Sequence, residues 1–194
     1  MNFSQTLHSF FSATIVTLFL ATLLSLTSIV QAKEHAALPV TTEFLDAASG
    51  EILDSRADRL PAYYGKADAA PSALTPTGTA WKARWQTELV VQAKDDYHFE
   101  LRGAGAGALQ IDDKDVVGQL NEASAAMTLA AGDHPLVITF TPPKSGDAQL
   151  RLFWKSSGFG WEPVAATSLK QPASLPGDQH ALLRSQRQLI VDNN

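Results

Sequence analysis

The feature that most constrains this chain is the regular alternation of apolar and polar residues in the segment Trp81–Val91. In an extended conformation one face of the segment carries Trp81, Ala83, Trp85, Thr87 and Leu89. The other face carries Lys82, Arg84, Gln86 and Glu88. Because side chains of a β-strand point alternately to its two faces, this period of two predicts a half-buried strand.

Shorter segments with the same period follow, and each ends in a turn rich in Gly, Asp or Pro. They are Tyr97–Leu101, Ala108–Ile111, Ala126–Leu129, His134–Thr141 and Ala148–Trp154. Their inward positions are occupied by Tyr97, Phe99, Leu101, Leu136, Ile138, Phe140, Leu150, Leu152 and Trp154. No stretch between residues 81 and 169 has helical periodicity. The pattern therefore predicts an all-β fold, an antiparallel sandwich or barrel.

The residues before this region have a weaker pattern. Thr41–Leu45 is a candidate first strand. Residues 54–80 contain several prolines among Ala, Ser and Asp, and we expect them to form a long loop that carries Tyr63 and Tyr64.

The amino-terminal segment, residues 1–32, has the composition of a secretory signal peptide. It contains no Lys, Arg, Asp or Glu, and its centre, Ala13–Leu24, is a short apolar run. Val30 and Ala32 place small residues at the two positions that a signal peptidase reads. An uncleaved membrane anchor is the alternative, but the run is shorter than the roughly 20 apolar residues of a span. We expect a mature chain that is periplasmic or secreted, with no membrane span after cleavage.

Residues 171–194 are expected to form a linker and a helix outside the β domain, which we place at residues 40–170. Asp178 is a candidate N-cap for a helix over residues 178–191. The apolar residues at helical spacing in this helix are Leu182, Leu183, Leu189 and Ile190. Such a stripe needs a partner, either the β domain or a protein domain beyond Asn194.

The composition excludes several classes of site. The chain has no Cys, which excludes disulfides, thiolate zinc sites, iron–sulfur clusters and Cys nucleophiles within it. It has 15 Lys and Arg against 20 Asp and Glu, a formal net charge of -5, and no basic cluster. Nucleic-acid binding is disfavoured, because backbone phosphates require concentrated positive charge.

No catalytic constellation is present in the sequence. It lacks the G-x-S-x-G and H-E-x-x-H motifs, and no pair of carboxylates is singled out for glycoside hydrolysis. Gly103, Gly105 and Gly107 join two strands, whereas a dinucleotide-binding loop opens a helix. His98 and His134 are the histidines that paired strands could bring together, although exposed strand positions explain both. We predict a protein that is not an enzyme and has no cofactor and no metal.

Five segments, taken in order, resemble the protective-antigen (PA14-like) domain family. They are Trp81–Trp85, Tyr97–Leu101, Leu109–Asp112, Leu129–His134 and Leu150–Trp154. In the same order, the matching features are an aromatic-rich strand, the motif Y-x-F-x-L, a strand that ends in I-D, the motif L-x-x-G-x-H and the motif L-x-L-x-W. The resemblance depends on the ordered set of five. It implies an antiparallel jelly-roll-like β-barrel or sandwich that recognises carbohydrate, as found in secreted glycosidases and adhesins.

The sequence departs from this family at two positions. Its sugar-binding adhesins hold Ca²⁺ with two consecutive aspartates, and the matching positions here are Ala104 and Gly105. Calcium takes about six to eight oxygen ligands, so a loop without side-chain oxygens implies binding that does not depend on calcium. The turn with Asp112, Asp113 and Asp115 is either a solvated turn or a cation site.

Aromatic residues outside the predicted core are the candidates for sugar binding. They are Tyr63, Tyr64, Trp81 and Trp161. The apolar C–H faces of sugar rings pack on such aromatic rings. The alternative is that these side chains cover the ends of the β domain.

Two functions from different classes remain open. The first is an exported, non-catalytic carbohydrate-binding module, calcium-independent, whose partner is a glycan or cell-surface polysaccharide. The second is a structural or interaction domain of a larger periplasmic or secreted assembly. The resemblance suggests one such assembly, in which the domain is an accessory domain preceding a c-type cytochrome, with the helix 178–191 leading to it.

Overall fold

The alternating segments form strands in the computed structural model, which describes residues 38–172. In chain order the strands are β1 (Val40–Asp46), β2 (Ile52–Asp58), β3 (Ala62–Lys66), β4 (Trp81–Val91), β5 (Asp95–Ala104), β6 (Ala106–Ile111), β7 (Lys114–Val117), β8 (Met127–Leu129), β9 (Gly132–Thr141), β10 (Asp147–Ser156), β11 (Phe159–Pro163) and β12 (Leu169–Lys170). Within this range the one helical element is a 3-10 turn at Ala166–Ser168. The prediction of an all-β, antiparallel fold is confirmed.

The predicted signal peptide at residues 1–32 and the predicted helix at 178–191 lie outside the described residues. Both stay predictions. Between Leu38 and Pro172 there is no helix with the length and apolar character needed to cross a bilayer.

The first sheet is built around β4. Its strand order is β2-β1-β4-β9-β6-β7, and β12 also pairs with β4. Trp85, in the middle of β4, lies opposite Thr42 of β1 and Ile138 of β9. The long alternating segment is therefore paired on both edges, and its inward face is completely buried because it packs in the core.

The second sheet has the order β11-β10-β5-β8, and β3 also pairs with β10. One edge of β10 is occupied by β5. On its other edge, β3 pairs with the first half of β10 and β11 with the second half. Within residues 38–172 the two sheets remain separate, so the fold is a two-sheet sandwich rather than a closed barrel.

The core lies between the two sheets and consists of the inward residues of the alternating strands. Its largest fully buried side chains are Trp85, Phe44, Phe99, Phe140, Leu89, Leu101, Leu109, Ile111, Leu129, Leu136, Ile138 and Leu150. Tyr97, Leu152 and Trp154 are also buried, so the inward positions predicted from the period of two are confirmed. Each such side chain contributes about 1.5–3 kcal/mol of transfer free energy.

The expected loop at residues 54–80 is partly wrong, because it contains most of β2 and all of β3. The alternation in β2 is hard to recognise, since charged residues occupy one face of this edge strand. Asp58 accepts hydrogen bonds from Thr42 Oγ1 at 2.7 Å and from Arg56 Nε at 3.0 Å. These bonds satisfy polar groups at the edge of the sandwich where the sequence pattern predicts a loop.

Candidate functional site

Two of the four predicted sugar-binding residues belong to the core. Trp81 is 2% exposed, and its Nε1 donates a hydrogen bond to the Ala69 carbonyl at 3.2 Å. The Tyr63 ring is half-buried, with its centroid 4.9 Å from that of Trp81 and 6.1 Å from that of Phe140. Trp81 has no face available to a ligand, which corrects the expectation for this residue. Tyr63 packs on the core but also lines the depression described below, so its part in sugar binding stays a prediction.

The other two, Tyr64 and Trp161, lie on the outer face of the second sheet. Tyr64 of β3 is 81% exposed and is opposite Gln149 of β10. Trp161 of β11 is beside the outward Lys155 of β10, whose Nζ is 5.2 Å from the ring centroid. Positions Gln149 and Lys155 are about 20 Å apart along a strand of ordinary rise. The two aromatic rings therefore mark opposite ends of one face.

Side chains of β5 and β10 occupy the surface between these two rings. The guanidinium carbon of Arg102 is 4.1 Å from the centroid of the Phe153 ring and 5.6 Å from that of Trp161. Arg151 of β10 is exposed and is opposite Arg102 of β5. We call this surface the outer platform; it consists of Tyr64, Arg102, Arg151, Phe153, Lys155 and Trp161.

A shallow depression of about 540 Å³ opens on the outer platform. Its walls include Ala62, Tyr64, Arg102, Gln149, Arg151 and Phe153. Aromatic faces there offer apolar contact to a ring, and the guanidinium and amide groups offer hydrogen-bond donors. This combination suits a ligand that has both apolar faces and oxygen acceptors.

Arg102 is held in place by groups of the protein itself. Its Nη2 donates to Glu100 Oε2 at 2.8 Å, and this hydrogen bond raises the pKa of Arg102. The stacking of the guanidinium on Phe153 adds a cation–π contact, worth about 0.5–1 kcal/mol at an exposed site. The donors of Arg102 are thus preorganised before any ligand arrives.

Steric limits explain why Gly103 and Gly105, where β5 leads to β6, carry no side chains. A Cβ atom at Gly105 would be 2.6 Å from both the Phe140 ring and the Thr141 carbonyl oxygen, and the residue has φ 138°. A Cβ at Gly103 would be 1.9 Å from the Gln149 carbonyl oxygen. Between Leu38 and Pro172 no group of three or more His, Asp and Glu residues is arranged to hold a metal ion.

The acidic turn between β6 and β7 uses two of its carboxylates internally. Asp112 and Asp113 have φ values of 51° and 60°, as in a two-residue type I′ hairpin turn. Asp112 Oδ2 is 2.8 Å from His134 Nδ1, and Asp115 Oδ1 accepts from Gln110 Nε2 at 2.8 Å. These bonds favour the structural role of this turn over a cation site.

The two histidines that paired strands could bring together, His98 and His134, lie on strands of different sheets. His98 lies on β5 of the second sheet, with Nδ1 3.1 Å from the Ser124 carbonyl oxygen. His134 lies on β9 of the first sheet and is bonded to Asp112. The two side chains are therefore not brought together by a pair of strands, and each is explained by its own hydrogen bonds.

A second depression, of about 510 Å³, lies against the turn between β1 and β2. Its carboxylate, Asp46, accepts hydrogen bonds from the amides of Ala48 and Ser49 at 2.9 and 2.7 Å. Those bonds lower the pKa of Asp46. The carboxylate is therefore engaged in closing the turn.

Arg102, Arg151 and Phe153 were not predicted as site residues. A signal for two of them exists in the sequence: in Ala148–Trp154 the period of two places Arg151 and Phe153 on the outward face. A single outward aromatic side chain is common, and it points to a binding surface only where it forms a contiguous patch with other exposed apolar groups, which the sequence does not show.

No family model and no curated protein matches this chain. Solved structures with the same fold exist. An anti-sigma factor domain-containing protein from Clostridium clariflavum has a TM-score of 0.61 and 16% identity, over 71% of this chain and 49% of that one. The PA14 sugar-binding domain from an RTX adhesin has a TM-score of 0.57 and 15% identity, over 71% of this chain and 100% of that one.

The epithelial adhesin 6 A domain from Candida glabrata, solved in complex with Galb1-3GlcNAc, has a TM-score of 0.52 and 11% identity, over 73% of this chain and 90% of that one. This chain spans about half the length of the two anti-sigma factor domain-containing proteins, 49% and 50%. At these identities the likeness shows the fold, which is that of PA14 domains.

Proposed function

We propose that this chain is an exported, non-catalytic carbohydrate-binding module that uses the outer platform. The observation that carries the proposal is the placement of Tyr64 and Trp161 at the two ends of one sheet face, with Phe153 and the arginines between them. Sugar rings pack their apolar faces on aromatic rings, and their hydroxyls accept hydrogen bonds from donors such as those of Arg102.

The fold comparison supports this class of function. One structure of the same fold is described as a sugar-binding domain, and another was solved with a disaccharide bound. The exported state rests on the signal-peptide pattern at residues 1–32, which stays a sequence-based prediction.

Calcium-independent binding is part of the proposal. It is supported by the close packing of Gly105 against Phe140 and Thr141, which leaves no space for a carboxylate side chain at that position. On the outer platform the positive charge for binding comes from Arg102 and Arg151 rather than from an ion.

A glycan array probed with and without EDTA tests the proposal. We expect binding to at least one glycan class, unchanged by EDTA. Tyr64→Ala and Trp161→Ala are expected to weaken that binding about tenfold each, because each removes one stacking surface. Leu74→Ala is the matched control: Leu74 is 65% exposed but lies outside the outer platform, so its loss leaves binding unchanged. No glycan binding, or equal binding by all variants, overturns the proposal.

A structural or interaction domain of a larger assembly is the second candidate. It is favoured by the two anti-sigma factor domain-containing chains, in which the matched fold makes up about half of the length, 49% and 50%. An accessory role before a c-type cytochrome is one form of this candidate. Reading the coding DNA after the codon for Asn194 tests that form, since a Cys-x-x-Cys-His motif must follow if it is right.

A further inference from the structure

Two arginines face each other directly on the outer platform. Arg102 of β5 and Arg151 of β10 are register partners, and their neighbours Leu101 and Leu152 are buried. Both guanidinium groups therefore project from the outer face of the second sheet. Like charges directly opposite each other in a sheet are destabilising. The sandwich core requires neither charge, so this pairing needs an explanation outside the fold.

The charge of this surface is only partly neutralised by the protein. Arg102 has Glu100 at 2.8 Å. Arg151 is exposed and, among residues 38–172, has no carboxylate oxygen within ion-pair distance. Lys155 adds a third positive charge beside Trp161. The outer platform is thus locally positive on a chain whose formal net charge is -5.

We infer that the ligand of the outer platform is an acidic glycan, one that carries uronate carboxylates or sulfate groups. This inference rests on the carbohydrate-binding function proposed above. A planar guanidinium binds an oxyanion through two parallel hydrogen bonds, and Arg151 has all of its donors available. The anionic group lies at the arginine pair, while neighbouring sugar rings pack on Tyr64 and Trp161.

Single-stranded nucleic acid is the competing ligand, since it also combines stacking bases with anionic groups. It requires a positive groove that follows the backbone over several nucleotides. The outer platform instead has one short group of three cations, Arg102, Arg151 and Lys155, on an acidic chain. The charge distribution favours the acidic glycan.

The test compares each acidic glycan with its own neutralised form. Oligogalacturonates are printed beside their methyl esters, and chondroitin sulfate fragments beside chemically desulfated, esterified fragments, all in EDTA and with single-stranded oligonucleotides on the same array. We expect an acidic form to bind about tenfold or more tightly than its neutral counterpart, as a charge-assisted hydrogen-bond pair predicts. Raising the salt concentration is expected to weaken this binding.

Arg151→Gln supplies the residue-level test. It is expected to weaken binding of the acidic form about tenfold and to leave the neutral form unchanged, while thermal stability is kept because a like-charge pair is removed. Lys82→Gln is the control, an exposed cation on the other sheet whose loss leaves binding unchanged.

Equal binding of acidic and neutral forms overturns the inference and leaves the proposed function standing. Binding of neither form overturns the inference alone, since the proposed function is overturned only if the general glycan array is negative as well. Binding of the oligonucleotides alone overturns both. The same affinity in Arg151→Gln as in the wild type overturns the assignment of the anion to the arginine pair.

Discussion

His134 and Asp112 join the start of β9 to the turn between β6 and β7, with Nδ1 2.8 Å from Oδ2. The second ring nitrogen of His134 is 3.0 Å from the Ala130 carbonyl oxygen. Both neighbours are hydrogen-bond acceptors, and only the doubly protonated imidazolium can donate to both. Burial lowers the pKa of His134, but these two bonds outweigh it, so the pKa is raised from its ordinary value of 6.5.

The first prediction is a pH dependence of stability that originates at His134. A group whose pKa is raised by folding stabilises the protein fully below its unfolded pKa, and the contribution is lost as the pH rises through the folded pKa. We therefore expect the free energy of unfolding to fall as the pH rises above about 6.5, the ordinary pKa of the side chain, and His134→Gln to remove most of this slope. Urea unfolding at a series of pH values measures this dependence of the free energy of unfolding on pH.

His98→Gln is the matched control for this prediction, because His98 lies in the other sheet and has one hydrogen-bond partner, the Ser124 carbonyl. It is expected to keep the wild-type slope. If His134→Gln keeps the slope as well, the doubly bonded imidazolium is not its origin.

The second prediction concerns the close approach of β5 and β10 at Gly103. A Cβ there would be 1.9 Å from the Gln149 carbonyl oxygen and 2.5 Å from its carbon, and neither backbone atom can move without breaking the strand pairing. Gly103→Ala is expected to lower the free energy of unfolding by about 3 kcal/mol or more. Denaturant unfolding gives the value.

Gly118→Ala is the control for the second prediction. A Cβ at Gly118 has no atom within 4 Å, so this change is expected to be neutral or slightly stabilising. Equal losses in the two variants would contradict the contact with Gln149 as the cause, because of these two glycines only Gly103 approaches Gln149.

The third prediction concerns the buried carboxylate of Glu43 on β1. It is 1% exposed, and its Oε2 is 2.7 Å from Arg84 Nε and 2.6 Å from Arg84 Nη2. Arg84→Met keeps the aliphatic part of the side chain but removes the charge next to a buried anion. We expect a loss of about 2–3 kcal/mol in the free energy of unfolding.

The exposed Lys82 on the same strand is the control for Arg84. Lys82→Met is expected to change the stability by less than about 0.5 kcal/mol. In a Glu43→Gln background the cost of Arg84→Met should fall, because the buried group no longer carries a charge. An unchanged cost in that background would contradict the ion-pair explanation.

The parts of the fold that could be predicted are those with a strict period of two. Trp85, Phe99 and Ile138 are buried where the alternation places them, because each belongs to a strand with one face on the core. β3 was missed because its short sequence has no such pattern, and it becomes a strand only by pairing with β10, far along the chain. Such long-range pairing is not encoded in local preference.

The outer platform shows the same limit for the candidate site. Tyr64 and Trp161 were selected by residue type alone, and they belong to strands that share an edge of β10. Arg102 joins them from β5, on the opposite edge of β10. Since only the sheet order brings these strands together, the sequence could name two aromatic candidates but could not place Arg102 between them. Their binding of sugar stays a prediction.

The fourth prediction concerns the type I′ turn at Asp112–Asp113. Both residues have positive φ, 51° and 60°, a conformation that costs a non-glycine residue energy. At Asp112 the bond to His134 offsets this conformational cost, whereas Asp113 is exposed. Asp113→Gly is therefore expected to stabilise the protein by about 0.5–1 kcal/mol, since the relief of left-handed strain exceeds the extra entropy of a glycine in the unfolded chain, and Asp-Gly suits this turn. Thermal unfolding should show a rise in Tm of about 1–4 °C.

Asp115→Gly is the matched control for the turn, and we expect it to lower the stability of the protein. Asp115 lies in β7 and accepts a hydrogen bond from Gln110 Nε2 at 2.8 Å, so the change removes that bond and places a glycine within a strand. A loss of stability in Asp113→Gly would contradict the turn assignment, because a glycine at a truly left-handed position relieves strain. A gain in both variants would point to relief of repulsion among the carboxylates of the turn as the cause.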